Sequence, residues 1–255
     1  KTFNFDTYDF VLTSSHAYVK NIKKPKNTLH ICYCHTPMRY AWDLKEQYLQ
    51  QENFFLKPFI SIFLKILAYW DKKNTKQVDY FIANSGNVKQ RINQYYGREA
   101  EVIYPFVDCK KYQILEKKDN FYLIVSRLIS AKKIDLAIKA FNKNGKKLLI
   151  IGTGTGEKQL KKLAKSNITF LGFLEEKEVI SYYQHAKALI FPGIEDFGMT
   201  PIEAQACGTP VIAYSEGGAL ETIIEGKTGC FFNQQTTEAL DKAIQTFETT
   251  HFKPK

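Results

Sequence analysis

No run of about twenty consecutive apolar residues, the length a membrane-crossing helix needs, occurs in this 255-residue sequence. The most apolar stretch, Leu56 to Trp70, is broken by Lys57, Pro58 and Lys65. Cysteine is sparse: Cys32, Cys34, Cys109, Cys207 and Cys230 are odd in number and scattered. That argues against a disulfide framework and for a reducing cytosol. The spacing of Cys32 and Cys34 is not that of a zinc knuckle, and on a strand both thiols share one face, where packing is the expected role. Internal repeats, low-complexity tracts and a long basic helix with interleaved aromatics are also missing, so nucleic acid is not the expected partner. No carboxylate pair of D-x-D type stands where it would hold a metal. The start, Lys1-Thr-Phe-Asn-Phe-Asp6, is polar and irregular; it reads as the middle of a domain and not as a signal peptide.

What is present describes an ordinary globular chain, 44% hydrophobic and 24% charged. Its net charge of +10 calls for an anionic partner such as a nucleotide or a phospholipid surface. In the Leu56–Trp70 stretch, Phe59, Phe63, Leu67 and Trp70 recur at helical spacing and are expected to face a core. Peripheral membrane contact by this basic, aromatic segment is the other reading.

From Phe121 onward, strand and helix patterns alternate. Strands are expected at Phe121–Val125, Lys147–Ile151, Ile168–Leu171, Ala188–Phe191 and Pro210–Ala213. Helices are expected at Ile134–Asn142, Glu157–Lys165, Glu175–His185, Ala219–Ile224 and Thr237–Phe247. Repeated β-α units with fully apolar strands mean a doubly wound parallel sheet, an α/β fold. The first half offers three strands, Phe10–Thr13, Leu29–Cys34 and Tyr80–Ala83, with a long helical stretch from Ala41 to Lys76. It reads as the back part of a second, incomplete domain of the same type. The expected division is 1–108 and 109–255.

Candidate chemistry concentrates where ligands meet such sheets, in loops at carboxyl ends of strands. Glu195 and Glu203 stand eight positions apart across a strand-to-helix turn. Thr200, Pro201 and Glu203 spell a T-x-x-E capping box, so Glu203 is open to a purely capping role. Free N–H groups at such a helix start favour a diphosphate, and carboxylates beside it suit sugar hydroxyls. Arg127 and Lys132 follow the strand Phe121–Val125; each is open to being an ordinary surface cation or a phosphate ligand. Gly152-Thr-Gly-Thr-Gly156 departs from the G-x-G-x-x-G dinucleotide pattern and does not follow the first strand of its domain, which disfavours NAD. It is equally a turn without ligand contact. His35 ends a strand in His30-Ile-Cys-Tyr-Cys-His35-Thr-Pro-Met-Arg-Tyr-Ala-Trp-Asp43, where a satisfied structural histidine is the commoner case.

Taken together, Glu195-Asp-Phe-Gly-Met-Thr-Pro-Ile-Glu203, Ser126-Arg127-Leu128 with Lys132, the His35 segment, Asn84-Ser85, Val102-Ile-Tyr-Pro105 and Gly217-Gly218 with Glu221 resemble the family-4 retaining glycosyltransferases of GT-B fold. The His35–Asp43 segment is closest to bacterial mannosyltransferases of O-antigen and surface-polysaccharide (lipopolysaccharide) synthesis. The resemblance implies two Rossmann-like domains, the first lacking its N-terminal part. It also implies a metal-independent hexosyltransferase without a resident cofactor, taking GDP-mannose in preference to a UDP-sugar. Its acceptor would be a saccharide or lipid-linked saccharide, and its place the cytoplasm or the inner face of the cell membrane. By the same resemblance His35 and Glu195 meet the donor sugar, Arg127 and Lys132 the diphosphate, and Glu203 the ribose. Phe197, Gly198, Met199 and Thr200 would follow the sugar diphosphate, Gly152 and Gly154 line the nucleotide, and Phe173 and Leu174 meet the base through their backbone. Arg39 and Asp43 are weaker candidates and Trp42 a packing residue. A non-catalytic nucleotide-sugar binding fragment and a GT-B sugar-nucleotide epimerase are the alternatives.

Overall fold

The computed structural model describes residues 4–43, 45, 49, 53–115, 117–250 and 252. The chain divides into two compact units, Lys1–Pro105 and Phe106–Lys255; the sequence placed the division after Asp108.

The first unit holds a four-stranded parallel sheet in the order β1-β2-β3-β4: β1 Phe10–Ser15, β2 Leu29–Cys34, β3 Tyr80–Ala83 and β4 Ala100–Val102. The fourth strand was not expected. Three residues with Glu101 in the middle carry little β signal, which suits a sheet edge. Helix α2, Gly86–Tyr96, buries Val88, Ile92 and Tyr96 together with Cys32, Cys34, Phe81 and Ala83. Its start is fixed by Ser85, whose hydroxyl accepts from the Val88 N–H at 3.0 Å. Asn84-Ser85 is thus a helix entry. His30 is fully buried: its Nδ1 donates to the Gln77 carbonyl at 3.0 Å, so Nε2 accepts from the Thr13 hydroxyl at 2.9 Å.

Helix α1, Lys57–Asn74, corrects the expected facing. Leu64 and Asp71 are buried, and Leu67 and Ala68 pack half-buried against Ala17, Met38 and Ala41. Phe59, Phe63 and Trp70, expected inside, are 72%, 61% and 41% exposed. Both sides of this helix are apolar, so periodicity alone could not choose. The decision lies with Asp71, which accepts from Lys20 Nζ at 2.5 Å, Tyr96 Oη at 2.7 Å and Trp42 Nε1 at 3.1 Å. These buried partners turn its side of the helix inward. The remainder of the expected Ala41–Lys76 helix, between Asp43 and Asn53, falls largely outside the described residues.

The second unit is a six-stranded parallel sheet in the order β10-β9-β8-β5-β6-β7. Its strands are β5 Tyr122–Val125, β6 Leu148–Ile151, β7 Ile168–Gly172, β8 Ala188–Phe191, β9 Val211–Tyr214 and β10 Gly229–Phe232. β6 and β8 are buried at every position, as central strands covered on both faces must be. Helices α3 (Ile134–Asn144) and α8 (Thr237–Thr249) share one core, where Tyr122, Phe141 and Phe247 meet ring to ring. α5 (Glu176–His185) and α6 (Met199–Ala206) contribute to the other, around Leu123, Leu189 and Val211. The remaining helices, α4 (Glu157–Leu163) and α7 (Ala219–Thr222), are short.

Glu248 ties α8 to the sheet. It accepts from Lys146 and Lys187 Nζ at 2.7 Å each and from Tyr122 Oη at 2.9 Å. Burial alone would raise its carboxyl, but these three donors override that and hold it at about 2. A depressed folded-state value means stability that is complete above the ordinary glutamate range, about 4.5, and lost as pH falls toward 2. Glu248→Gln should therefore lower the urea midpoint at pH 7 by an amount equivalent to about 1–3 kcal/mol. It should also flatten the loss of stability between pH 5 and pH 3 (about two proton decades). An unchanged acid limb in the variant would refute this.

Candidate active site

Strand order reverses between β5 and β8, and the loops leaving their carboxyl ends flank the crevice that such a reversal creates. Into it these loops bring Lys132 and Glu195. Lys132 Nζ and Glu195 Oε1 form an ion pair, with side chains 14% and 24% exposed. The approach depends on Gly193, where a Cβ would stand 3.0 Å from Lys132 Cα and 3.1 Å from its carbonyl oxygen. Lys132 closes a 3₁₀ turn, Ser130–Lys132, and Lys133 leaves it at φ 52°. Among the described residues Lys133 is the non-glycine position with positive φ, a conformation that single residues adopt at some cost.

Glu195 is held from its other side by Gly217-Gly218. The Gly218 N–H donates to the Glu195 carbonyl at 2.8 Å. A Cβ on Gly217 would collide with that same oxygen, and one on Gly218 with the Phe197 backbone. The glycine pair is structural, and what it fixes is the backbone that carries the carboxylate.

Arg127 lies in the β5 loop, exposed, and among the described residues its guanidinium has no hydrogen-bond or ion-pair partner. The Gly152–Gly156 loop packs against this segment: the Leu128 N–H donates to the Thr153 carbonyl at 2.9 Å, and the Gly156 N–H to the Leu128 carbonyl at 2.8 Å. A Cβ on Gly152 would clash with the Ser126 carbonyl, and one on Gly154 would stand 2.5 Å from that of Leu128. Close approach to the Arg127 loop accounts for both glycines. After β7, Phe173 is 73% exposed, while Leu174 packs on the core.

The helix after β8 begins earlier than its sequence pattern suggests. Gly198, at φ 91°, is the N-cap, and Met199 and Thr200 are the first two helical residues. Thr200 therefore does not cap, and Glu203 lies past the first turn. The capping box expected there is absent; one is formed instead at Glu175 and Glu178 of α5. Gly198 can adopt its positive φ cheaply, and that places the turn ahead of the threonine. With no side chain capping α6, its first N–H groups remain available to an anion. Phe197 is 5% exposed, so its side chain is a packing group and only its backbone borders the crevice.

Glu203 accepts a hydrogen bond from the Tyr183 hydroxyl at 2.9 Å. Burial raises its carboxyl above the ordinary range, and the Tyr183 bond opposes that rise. Tyr183 is itself buried, and sequence pattern gave no sign of it, since a tyrosine on an amphipathic helix reads as core. Tyr183→Phe should push the Glu203 carboxyl further up and cost about 1–2 kcal/mol. Urea unfolding measures the cost, and carboxyl-selective NMR titration of Glu203 reads the shift; an unmoved titration would refute the linkage.

In the first unit, His35 sits at the carboxyl end of β2, half-buried, with Nε2 2.8 Å from the Ser14 hydroxyl and its ring edge-on to Tyr33. Burial, then the neighbouring His16, lower its pKa, so the imidazole is neutral at pH 7. Asp43 accepts from Arg39 at 3.2 Å and from Arg91 at 2.6 Å, a local clamp. Trp42 stacks on Tyr95, a packing role.

The structure thus gathers Arg127, Lys132, Gly152, Gly154, Phe173, Leu174, Glu195, Phe197, Gly198, Met199, Thr200 and Glu203 along the carboxyl edge of the second sheet and its first following helix turns. His35 belongs to the first unit.

A two-unit Rossmann-like α/β chain with this edge is a GT-B architecture. Residues 109–253 match the family Glycosyl transferases group 1, and residues 3–111 match Glycosyltransferase Family 4. The chain belongs to the Glycosyl transferases group 1 family. It is 30% identical to an uncharacterized glycosyltransferase, MJ1178, of Methanocaldococcus jannaschii over 181 residues, 69% of this chain and 51% of that protein. It is 34% identical to the GDP-mannose-dependent monoacylated alpha-(1-6)-phosphatidylinositol monomannoside mannosyltransferase of Corynebacterium glutamicum over 143 residues, 47% of this chain and 38% of that one. The chain spans about half the length of the curated relatives it matches. Sucrose-phosphate synthase of Thermosynechococcus elongatus superposes with a TM-score of 0.75 at 20% identity, covering 95% of this chain and 65% of that one. Anabaena Alr3699/HepE in complex with UDP-glucose gives 0.64 at 18% identity, covering 86% and 76%. At such identities these likenesses establish the fold.

Proposed function

We propose that this chain carries the donor site of a metal-independent retaining hexosyltransferase that moves mannose from GDP-mannose to a saccharide or lipid-linked saccharide at the inner face of a bacterial cell membrane. The observation that carries the reading is the Lys132–Glu195 pair at the strand-order reversal, with Arg127, exposed and without a partner among the described residues, in the loop that leaves β5. A sugar diphosphate presents both chemistries that such a site recognises: phosphate oxygens for the cations and hydroxyls for the carboxylate.

In this reading Arg127, Lys132 and the uncapped start of α6 stabilise the departing diphosphate with fixed positive charge. Glu195 accepts from a sugar hydroxyl. Glu203, oriented by Tyr183, accepts from the ribose. His35, neutral, is assigned to the donor sugar. The bond from the anomeric carbon to the phosphate oxygen breaks, and the acceptor oxygen bonds to the same face. The acceptor proton passes to the leaving phosphate. The GDP-mannose preference is supported by the name of the Corynebacterium relative, whereas the Anabaena neighbour holds UDP-glucose.

Calorimetric titration with GDP, UDP, GDP-mannose and UDP-glucose tests the reading. We expect micromolar binding of the guanine pair (Kd about 1–100 μM), weakened about tenfold or more by Arg127→Ala or Glu203→Ala. Preference for uridine would correct the base. Binding without transfer or donor hydrolysis would favour a binding fragment, and absence of all binding would refute the reading.

A further inference from the structure

Helix α1 shows solvent an unbroken apolar face. Phe59, Ile62, Phe63, Ile66, Tyr69 and Trp70 are 72%, 58%, 61%, 61%, 69% and 41% exposed. Their spacing of three, one, three, three and one places them on one side of the helix. Phe54 and Phe55, each 78% exposed, stand just ahead of it. The opposite side is anchored by Leu64 and by the buried Lys20–Asp71 pair, so the outward facing is fixed by the fold.

The solvent-facing charges of the helix and its immediate flanks are lysines. Between Asn53 and Gln77 the sequence has Lys57, Lys65, Lys72, Lys73 and Lys76, and Asp71 is its sole carboxylate. That carboxylate is turned inward onto Lys20. Two physical tendencies separate the candidate occupants. Protein interfaces are depleted of lysine at their cores and satisfy charge with opposite charge. Helices lying in a lipid interface combine bulky aromatics with lysines, whose stems reach along the apolar surface to the headgroups. Tyr69 and Trp70, at the lysine-rich end, are side chains that favour the headgroup level. No described helix is long and apolar enough to cross a membrane, so this one would lie along its surface.

We propose that α1 lays its outer face into an anionic lipid surface, with its lysines on the headgroups. This stands on the helix alone and does not require the transferase reading. Phe10 and Leu12 of β1, 49% and 60% exposed, form an apolar patch on a different element and serve as the control.

Flotation of the full 255-residue chain with phosphatidylcholine vesicles, with and without phosphatidylglycerol, tests this at low and high salt. We expect binding that needs the anionic lipid and weakens with salt. A Phe59→Ser/Phe63→Ser/Ile66→Ser variant and a Lys65→Glu/Lys72→Glu/Lys73→Glu variant should each lose about tenfold or more in partition. All six positions are exposed, so circular dichroism and nucleotide binding should be unchanged in both. A Phe10→Ser/Leu12→Ser variant should bind vesicles as the parent does. Vesicle binding that ignores both α1 variants, or no binding at all, overturns the proposal. So does a dimer in sedimentation that the serine variant dissolves, because the face would then belong to a second copy.

Discussion

Glu195→Gln is expected to lower kcat/KM for transfer about a hundredfold, Lys132→Met by a similar factor, and the double variant by little more than either. The reason is geometric. The two side chains come from different loops, and each is held to the place where strand order reverses by the other. Removing the carboxylate takes away the ion pair that sets the position of the ammonium. Removing the ammonium leaves a half-buried carboxylate beside the position a diphosphate must enter, where it would repel it. Either change disarranges both groups, so their effects overlap. An incoming diphosphate changes the balance: it offers Lys132 more negative charge than Glu195 does, and it releases the carboxylate to accept a sugar hydroxyl. Steady-state kinetics on the four proteins of the cycle, with the sugar nucleotide varied, decides the matter. Multiplicative losses, about 10⁴ for the double variant, would mean that the groups act separately and the pair is incidental. Gly193→Ala gives an independent reading, since it moves the Lys132 loop without touching either charge.

Much of the second unit was legible because its central strands are so apolar. β5, β6 and β8 lie between covered faces, and a short unbroken run such as Leu148-Leu-Ile-Ile151, stopped by Gly152, reads as a buried strand. β10 was not legible: it opens on Gly229, whose missing Cβ allows contact with the Val211 carbonyl, and a glycine there reads as a turn. The site residues were legible as residue types in sequence order. Their geometry was not. Thr200 and Glu203 spell a capping box, yet the φ of Gly198 and the hydroxyl of Tyr183, both set by tertiary structure, give them other positions. The glycines of the 152–156 loop suggested a ligand, and what they accommodate first is the carbonyl edge of residues 126–128. Helix α1 shows the same limit on a larger scale. Its period was readable, but which of two apolar sides turns inward depended on a lysine 51 positions away, Lys20 against Asp71.

That buried pair carries the largest expected effect on stability. Asp71→Ala should destabilise the first unit by about 3–5 kcal/mol. Lys20 and Asp71 are 1% and 0% exposed, and the carboxylate also accepts from Trp42 and Tyr96. Alanine would leave the Lys20 ammonium buried without its counter-charge, keeping the Ala17 carbonyl at 2.6 Å and the Tyr96 ring at 5.3 Å, and would strand the Trp42 and Tyr96 donors. Lys20→Met removes the opposite charge, but the carboxylate then keeps its two donors, Trp42 and Tyr96, so its cost should be smaller. Combining Lys20→Met with Asp71→Asn removes both charges and preserves an acceptor for Tyr96 or Trp42. It should recover most of the loss, to within about 1–2 kcal/mol of the parent. Both tryptophans, Trp42 and Trp70, lie in the first unit, so their fluorescence reports its unfolding. The urea midpoint should fall by about 2 M for Asp71→Ala and by clearly less for the double variant. If the double variant were no more stable than Asp71→Ala, the hydrogen bonds to Trp42 and Tyr96, and not the ion pair, would be what holds this helix in place.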